Sequence, residues 1–187
     1  MRKDLGAKPL CYPQPVFIIA AYDEDGRTQA MNAAWGGIHD TKELYMCLSA
    51  SHKTVKCLLA RKEFTVSMGT AEYAAQCDYL GIVSGNDVPD KFERSGFHSE
   101  KAAHVDAPVI CELPMALECS LSSYDPETGS LVADIINVSV DEKLMDEQGK
   151  VDIGKLRPIT FDPFNMAYVE LGAKAGNAFS DGRALKK

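Results

Sequence analysis

The sequence predicts one domain of the α+β class, mainly β with a few helices, whose architecture is a barrel or a mixed α+β arrangement. Short segments with strand-like patterns run through both halves of the chain, and only a few helical segments separate them. Strands and helices do not alternate regularly and no repeat is present, so a doubly wound parallel sheet is not expected. No linker rich in Pro, Gly or Ser divides residues 1–187, which we therefore assign to a single domain.

The first predicted elements are a hairpin and a third strand. Val16–Tyr22 is a continuous apolar run rich in β-branched and aromatic residues, which is typical of a strand buried on both faces. Asp25-Gly26 supplies the turn, and Thr28–Asn32 returns as the second strand. Glu43–Leu48 is the third strand.

A helix is predicted from Ser51 onward, with Ser49 or Ser51 as its N-cap residue. The elements after it are a strand, two helices, a strand with one solvated face, a turn, and a final strand before a charged excursion. In that order they cover Phe64–Met68, Ala71–Ile82, Asp87–Arg94, Leu113–Ser122, Asp125–Gly129, Leu131–Val140 and Val140–Lys155.

Composition restricts the function classes. The chain is 45% hydrophobic and 25% charged, which is typical of a compact globular domain. A net charge of −7 opposes sequence-independent nucleic-acid binding, because that binding depends on Lys and Arg at phosphates. Val16–Tyr22 is too short to cross a bilayer, and Met1-Arg-Lys-Asp4 lacks the apolar stretch of a signal peptide. We expect a soluble, cytoplasmic protein without nucleic-acid or membrane partners.

The cysteines and histidines indicate no metal site. The six cysteines contain no C-x-x-C pair and are expected to be reduced, buried thiols. The four histidines are dispersed without zinc-like spacing. Glu118 and Cys119 point to opposite faces of their predicted strand, which opposes a mixed thiol–carboxylate site there. For Cys77, a redox role stays an alternative to a structural thiol.

The segment Ser49–Thr54 carries the clearest chemistry, because it joins a strand to an amphipathic helix. A helix start presents unpaired N–H groups and the positive end of the helix dipole, and here it adds hydroxyls and the Lys53 ammonium. These groups suit a phosphate dianion. The alternative is ordinary N-capping followed by a surface lysine.

A second segment, Met31–Gly37, surrounds the only tryptophan, Trp35, with small residues. Small side chains let backbone groups approach a flat heterocycle, which Trp35 and Asn32 could frame or hydrogen-bond. The alternative is a tight strand end with a tryptophan in the core.

Several segments resemble the flavin-reductase-like FMN-binding family, in particular its flavoredoxin branch. They occur in the order found in that family and cover most of the chain. They are Pro15–Ile18 with Ala30–Gly37, Leu48–Thr54, Asp78–Gly85 with Lys91 and Phe92, and Leu171-Gly172 with Ala178–Ser180.

The resemblance implies a homodimeric split β-barrel that holds FMN near the subunit interface. It places one set of residues along the isoalloxazine ring, a second set at the ribityl and phosphate oxygens, and two more residues at further flavin contacts. These are, respectively, Asn32, Ala33, Ala34 and Trp35; Ser49, Ala50, Ser51, His52, Lys53 and Thr54; and Lys91 and Phe164. Both the residue chemistry and the resemblance place an anion at the start of the helix after Ser51.

The function expected from the resemblance is an FMN-dependent oxidoreductase that transfers hydride from NADH or NADPH through the flavin. One alternative is a flavoredoxin-like electron carrier reduced by a protein partner, and another is a split barrel without flavin that serves as a ligand-binding or structural protein. The sequence has no G-x-G-x-x-G after a strand, so a Rossmann unit for the nicotinamide nucleotide is not expected. The donor and the final acceptor stay open.

Overall fold

A computed structural model of the chain describes residues 1–186 and contains strands and short helices throughout that range. The strands are β1 (Gln14–Pro15), β2 (Phe17–Tyr22), β3 (Thr28–Ala33), β4 (Gly36–Asp40), β5 (Glu43–Cys47), β6 (Glu63–Met68), β7 (Ser99–Lys101), β8 (Pro108–Ile110), β9 (Met115–Tyr124), β10 (Ser130–Val140), β11 (Ile159–Asp162) and β12 (Ala167–Glu170). The helices are α1 (Lys53–Arg61), α2 (Ala74–Ile82), α3 (Lys91–Arg94) and α4 (Ile153–Leu156), and 3₁₀ turns cover Glu142–Leu144 and Asp181–Leu185.

The largest sheet has seven strands in the order β3-β2-β6-β9-β10-β5-β4, and every neighbouring pair is antiparallel. Its two edge strands, β3 and β4, are separated along the chain by only Ala34 and Trp35. A connection of this length spans about 10 Å at most, since an extended residue covers about 3.3–3.6 Å. The two edges are therefore close in space, and the sheet curls into an open barrel. The α+β barrel predicted from the sequence is confirmed.

Strand β2 is buried on both faces, as its apolar run predicts. Phe17, Ile19 and Ala21 pack in a core cluster that also contains Val55 and Leu58 of α1. Ile18 and Ala20 point the other way, into a cluster shared with Cys77 and Leu80 of α2. The sheet is thus covered by α1 on one face and by α2 on the other.

A second, three-stranded sheet has the order β1-β11-β12 and is formed by the two ends of the chain. Phe161 of β11 and Tyr168 of β12 pack against the cluster that contains α2. The C-terminal part of the chain is thereby brought next to α2, which lies about 90 residues earlier in the sequence. Within residues 1–186, no helix is both long and apolar enough to cross a membrane.

Two sequence predictions, the N-cap residue of α1 and the solvated face of β9, are wrong in detail. The N-cap residue of α1 is His52 rather than Ser49 or Ser51, because the two serine hydroxyls hydrogen-bond each other at 2.8 Å. The outer face of β9 is not solvated around Glu118, which is 1% exposed. Its carboxylate accepts hydrogen bonds from the backbone N–H of His104 at 2.7 Å and from Nδ2 of Asn137 at 2.7 Å, so the loop between β7 and β8 covers this face.

The cysteines are all free, as predicted, but only half of them are buried. Cys57, Cys77 and Cys119 lie in the core, whereas Cys11, Cys47 and Cys111 are exposed. Burial raises the pKa of the Cys77 thiol to about 11, which opposes a thiolate-based redox role at that position. Helices α2 and α3 also begin later than predicted, at Ala74 and Lys91.

Candidate functional site

The loop between β5 and α1 is fixed at its first residue. The backbone N–H of Leu48 donates to the carbonyl of Gly129 at 2.8 Å, and the Tyr124 hydroxyl donates to the carbonyl of Leu48 at 2.9 Å. Ser49, Ser51 and His52 are exposed after this anchor, while Ala50 is half-buried. The chain then turns into α1, so the exposed part of the loop surrounds the N-terminus of the helix.

The first turn of α1 has backbone donors without partners. His52 has extended φ and ψ, and its side chain makes no capping hydrogen bond. Over residues 1–186, the N–H groups of Lys53, Thr54 and Val55 donate to no protein acceptor. Thr54 as a whole is 2% exposed, and its hydroxyl makes no hydrogen bond to the protein in that range, so the hydroxyl oxygen keeps access to the surface. Several backbone N–H donors and the Thr54 hydroxyl therefore lie at the positive end of the α1 dipole.

A loop that follows α2 supports the loop before α1. Nδ2 of Asn86 donates to the carbonyl of Ser51 at 3.0 Å, and Oδ1 of Asn86 accepts from Nζ of Lys56 at 3.0 Å. Gly85 makes this approach possible, because a Cβ there would lie 3.2 Å from Cβ of Lys53 and 3.1 Å from Oε1 of Gln29. The two loops consequently form one hydrogen-bonded unit around the start of α1.

The end of β3 is held by a different set of contacts. Nδ2 of Asn32 donates to the carbonyl of Cys77 at 3.1 Å and to the hydroxyl oxygen of Tyr168 at 3.2 Å. The Tyr168 hydroxyl donates in turn to Oδ1 of Asp78 at 2.9 Å. Burial, followed by the Asp78 carboxylate, raises the pKa of Tyr168 to about 12, so this hydroxyl keeps its proton at neutral pH. Gly81 lies beside Asn32, where a Cβ would come within 3.2 Å of Cβ of Asn32.

The segment from Ala33 to Trp35 connects β3 to β4 at the opening of the barrel. Ala33 and Ala34 are half-buried, and Trp35 is 44% exposed, so the tryptophan is not a core residue. The carbonyl of Trp35 accepts a hydrogen bond from the backbone N–H of Cys47 at 2.9 Å. Cys47 is the last residue of β5 and directly precedes the loop before α1, so this bond places the two predicted segments next to each other.

Lys91 and Phe164 lie in contrasting environments. Lys91 is 3% exposed, and its Nζ donates to the carbonyl of Leu80 at 3.1 Å in the last turn of α2. Burial lowers the pKa of Lys91 to about 8. Phe164 lies in the turn between β11 and β12 and is 56% exposed, with Nζ of Lys8 5.9 Å from its ring centroid. Lys91 is therefore close to the end of α2 that adjoins Asn32, and Phe164 is a surface residue.

The sequence did not indicate the role of three residues that support the candidate site. They are Asn86, which holds the loop before α1, and Tyr168 and Asp78, which hold Asn32. Asn86 directly follows a segment quoted for the resemblance, but nothing in its sequence neighbourhood indicates a contact with Ser51 or Lys56. Tyr168 is 136 residues from Asn32, and no local pattern pairs the two. Only the three-dimensional structure brings these residues together.

The arrangement fits a ligand with an anionic end and a planar end, as FMN has. The unpaired N–H groups and the Thr54 hydroxyl suit a phosphate, and the small side chains of Ala33 and Ala34 beside the exposed Trp35 suit the close backbone approach that a planar ring needs. In the part of the chain that the structure describes, no three His, Cys, Asp or Glu side chains are grouped so as to hold a metal ion.

Comparisons with known proteins identify the family and the fold of the chain. The family model described as the flavin reductase like domain matches residues 10–159. The structure is similar to flavoredoxin of Desulfovibrio vulgaris (Miyazaki F), with a TM-score of 0.93 and 36% identity over 97% of this chain and 100% of that chain. Flavoredoxin from Methanosarcina acetivorans gives a TM-score of 0.85 and 24% identity over 100% of this chain and 98% of that chain.

More distant structures share the fold alone. One is nitrilotriacetate monooxygenase component B from Bacillus cereus, with a TM-score of 0.76 and 16% identity over 88% of each chain. A comparison with curated protein sequences finds no significant match. These similarities confirm that the open barrel is the split β-barrel expected from the sequence.

Proposed function

The chain belongs to the flavin reductase-like family of FMN-binding split barrels, and from this premise we propose that it holds FMN between Ser49–Thr54 and Asn32–Trp35 and passes reducing equivalents through it. The observation that carries the proposal is the group of unpaired donors at the start of α1, which follows the strand end where Cys47 is hydrogen-bonded to the exposed Trp35. The hydrogen bond between Trp35 and Cys47 joins the two segments, so one ligand with a phosphate and a ring can reach both.

At the phosphate end, the chain supplies charge and hydrogen bonds. The N–H groups of Lys53, Thr54 and Val55 are oriented by α1, and the Lys53 ammonium adds a positive charge. Asn86 holds the Ser51 carbonyl and the Lys56 ammonium, which keeps the loop in place before a ligand arrives. A loop ordered in advance loses less conformational entropy when phosphate binds.

At the ring end, the chain fixes position and access. Asn32 is oriented by contacts from α2 and β12, while Ala33, Ala34 and Trp35 give the ring a surface of low polarity. When bound, FMN supplies hydride and single-electron chemistry, so the chain needs no general acid or base. The residues at this end serve to orient the ring and to set the polarity of its surroundings.

The proposed function has two forms, which differ in the electron donor. The first form is an NAD(P)H-dependent reductase that transfers hydride through FMN to an acceptor. The second is an electron carrier reduced by a redox protein partner, and it is favoured by 36% identity over nearly the full chain to a protein named flavoredoxin. Both forms use the same flavin site and differ in what docks next to the ring.

We further propose that the protein is a homodimer, with the interface at the opening of the barrel. Ile38 of β4 is 69% exposed, and Ile136 and Val138 of β10 are 50% and 46% exposed. These side chains line or adjoin an apolar cleft of about 640 Å³ that also includes Gly37. Burial of such a patch is a driving force for self-association. Sedimentation equilibrium is expected to give twice the chain mass, and Ile136→Asp is expected to shift the protein toward monomer.

The decisive experiment is an absorbance spectrum of the purified protein, reconstituted with FMN and then treated anaerobically with NADH or NADPH. Flavin bands that bleach with either nucleotide support the reductase and identify its donor. Bands that persist with both nucleotides but bleach with a low-potential redox protein support the electron carrier. A protein that does not retain FMN after reconstitution and desalting would contradict both and favour a split barrel without flavin.

A further inference from the structure

Asn32, Tyr168 and Asp78 form a chain of hydrogen bonds, called here the relay, in which Asn32 donates to Tyr168 and Tyr168 donates to Asp78. We propose that Tyr168 and Asp78 are positioning residues that fix the Asn32 amide, so that Oδ1 of Asn32 accepts a hydrogen bond from N3–H of the flavin ring. The inference rests on the proposed function, because it assigns a role toward bound FMN. Tyr168 and Asp78 thereby join the residues of the flavin site, and the edge of the ring that carries N3–H is the one that faces Asn32.

The direction of the relay begins at Asp78. Its carboxylate can only accept, and Oδ1 of Asp78 lies 2.9 Å from the Tyr168 hydroxyl. The single hydroxyl proton of Tyr168 is therefore used in that bond. Its oxygen is left to accept, and the group 3.2 Å away is the Asn32 amide. Only the NH₂ side of an amide can donate, so Nδ2 of Asn32 faces Tyr168.

A second acceptor imposes the same orientation. The carbonyl of Cys77 lies 3.1 Å from Nδ2 of Asn32, and a backbone carbonyl cannot donate. A flipped amide would place Oδ1 of Asn32 against the Cys77 carbonyl and lose both bonds. The positions of the amide oxygen and nitrogen of Asn32 therefore follow from the fact that both neighbouring groups can only accept.

Both amide protons of Asn32 are donated in these two hydrogen bonds, whereas Oδ1 accepts no hydrogen bond from residues 1–186. Asn32 is only half-buried, and Gly81 beside it is exposed and has no side chain to cover it. The relay therefore leaves one directed acceptor at an accessible position, directly before Ala33 and Trp35.

The chemistry of the flavin selects the partner of this acceptor. In oxidised isoalloxazine, N3–H is the only N–H donor, and the other polar atoms of the ring edge, N1, O2, O4 and N5, are acceptors. An acceptor facing any of those four atoms would be left unpaired and repelled, whereas N3–H satisfies it. Asn32 thus recognises the pyrimidine edge of the ring.

The test compares the affinities of wild-type protein for FMN and for FMN methylated at N3, measured by quenching of flavin fluorescence. The methyl group removes the donor and leaves the phosphate unchanged. Wild-type protein is expected to prefer FMN by about tenfold, the size of one neutral hydrogen bond. Asn32→Ala is expected to bind both flavins with similar affinity. Tyr168→Phe is expected to reduce the preference to about threefold, because only the Cys77 carbonyl then orients the amide.

The matched control is Tyr79→Phe, which removes a hydroxyl from the same helix, α2, and this hydroxyl makes no hydrogen bond within residues 1–186; the variant is expected to keep the full preference. Thermal unfolding of each apoprotein separates folding from recognition. If Tyr168→Phe lowers the melting temperature but keeps the tenfold preference, the relay is only structural and the inference is overturned. A wild-type protein that binds both flavins equally also overturns it, while one that binds neither overturns the proposed function itself.

Discussion

The two ends of the proposed flavin site are built by different means. At the start of α1, the groups for an anion come from consecutive residues, Lys53 to Val55, and from the geometry of a helix terminus. At the end of β3, the orientation of Asn32 depends on Cys77 and Asp78 in α2 and on Tyr168 in β12. In the proposed site, binding of a charged group is thus encoded locally, whereas orientation of the ring depends on contacts between distant segments.

The largest effect is expected from substitutions that remove phosphate contacts and leave the ring end unchanged. Lys53→Ala combined with Thr54→Ala is expected to weaken FMN binding by about 2–4 kcal/mol, because a charge-assisted contact and a hydroxyl hydrogen bond are lost. Affinity for riboflavin, which has no phosphate, is expected to change by less than about 1 kcal/mol. Calorimetric titration of both ligands measures the difference. Lys62→Ala, at the opposite end of the same helix, is the control, and equal losses for both ligands would contradict the assignment.

Trp35→Ala is expected to act on the ring end and to weaken both FMN and riboflavin by about 1–2 kcal/mol through loss of aromatic contact. Since Trp35 is 44% exposed, the free energy of unfolding of the apoprotein is expected to fall by less than about 1 kcal/mol, against about 3–5 kcal/mol for truncation of a core tryptophan. Flavin fluorescence and urea unfolding are the two measurements. Global destabilisation without a flavin-specific effect would return Trp35 to a purely structural role.

Lys91→Met tests whether a buried charge is kept near the ring end for a ligand. Burial lowers the Lys91 pKa from 10.5 to about 8, so the unfolded chain binds more protons between these values, and this residue makes stability rise as pH increases through that window. The methionine variant is expected to lack this rise and, at pH 7, to be more stable by on the order of 1 kcal/mol. Its FMN affinity is expected to fall. Urea unfolding from pH 7 to 10.5 measures the first effect, and an unchanged pH profile would contradict it.

The smallest expected effect concerns the support of the phosphate loop. Asn86→Ala removes the hydrogen bonds to Ser51 and Lys56 and is expected to weaken FMN binding by about 0.5–1 kcal/mol, because the bonds are exposed. Asn86→Asp keeps an acceptor for Lys56 but loses the donor to the Ser51 carbonyl, so a similar loss would assign the effect to Ser51. Riboflavin affinity is expected to stay unchanged in both variants, and a matching loss of riboflavin affinity would show that the loop also supports the ring.

The fold was predictable from the sequence wherever burial set the pattern. The apolar run at Val16–Tyr22 predicts a strand covered on both faces, and α1 and α2 cover those faces. The prediction failed at Glu118, because a carboxylate in a strand normally marks a solvated face, and here His104 and Asn137 satisfy it internally. Very short strands such as β1 and β7 have too few residues to show a period.

The proposed site can be predicted from the sequence only where its residues are close together in the chain. Lys53 and Thr54 follow from the chemistry of a helix start, although the N-cap residue is His52 and the nearby serines bond to each other. The bond from Asn86 to Ser51 spans 35 residues, and that from Asn32 to Tyr168 spans 136, so neither leaves a local pattern in the sequence. Such pairs are set by the packing of the C-terminal sheet against α2.

The most direct test of the central claim is a crystal structure of the protein with FMN. We expect the phosphate within hydrogen-bonding distance of the backbone N–H groups of Lys53 and Thr54, and the ring alongside Ala33 to Trp35 with its N3 edge at Oδ1 of Asn32. A flavin bound instead in the apolar cleft lined by Val16, Gly37 and Met115 would contradict it.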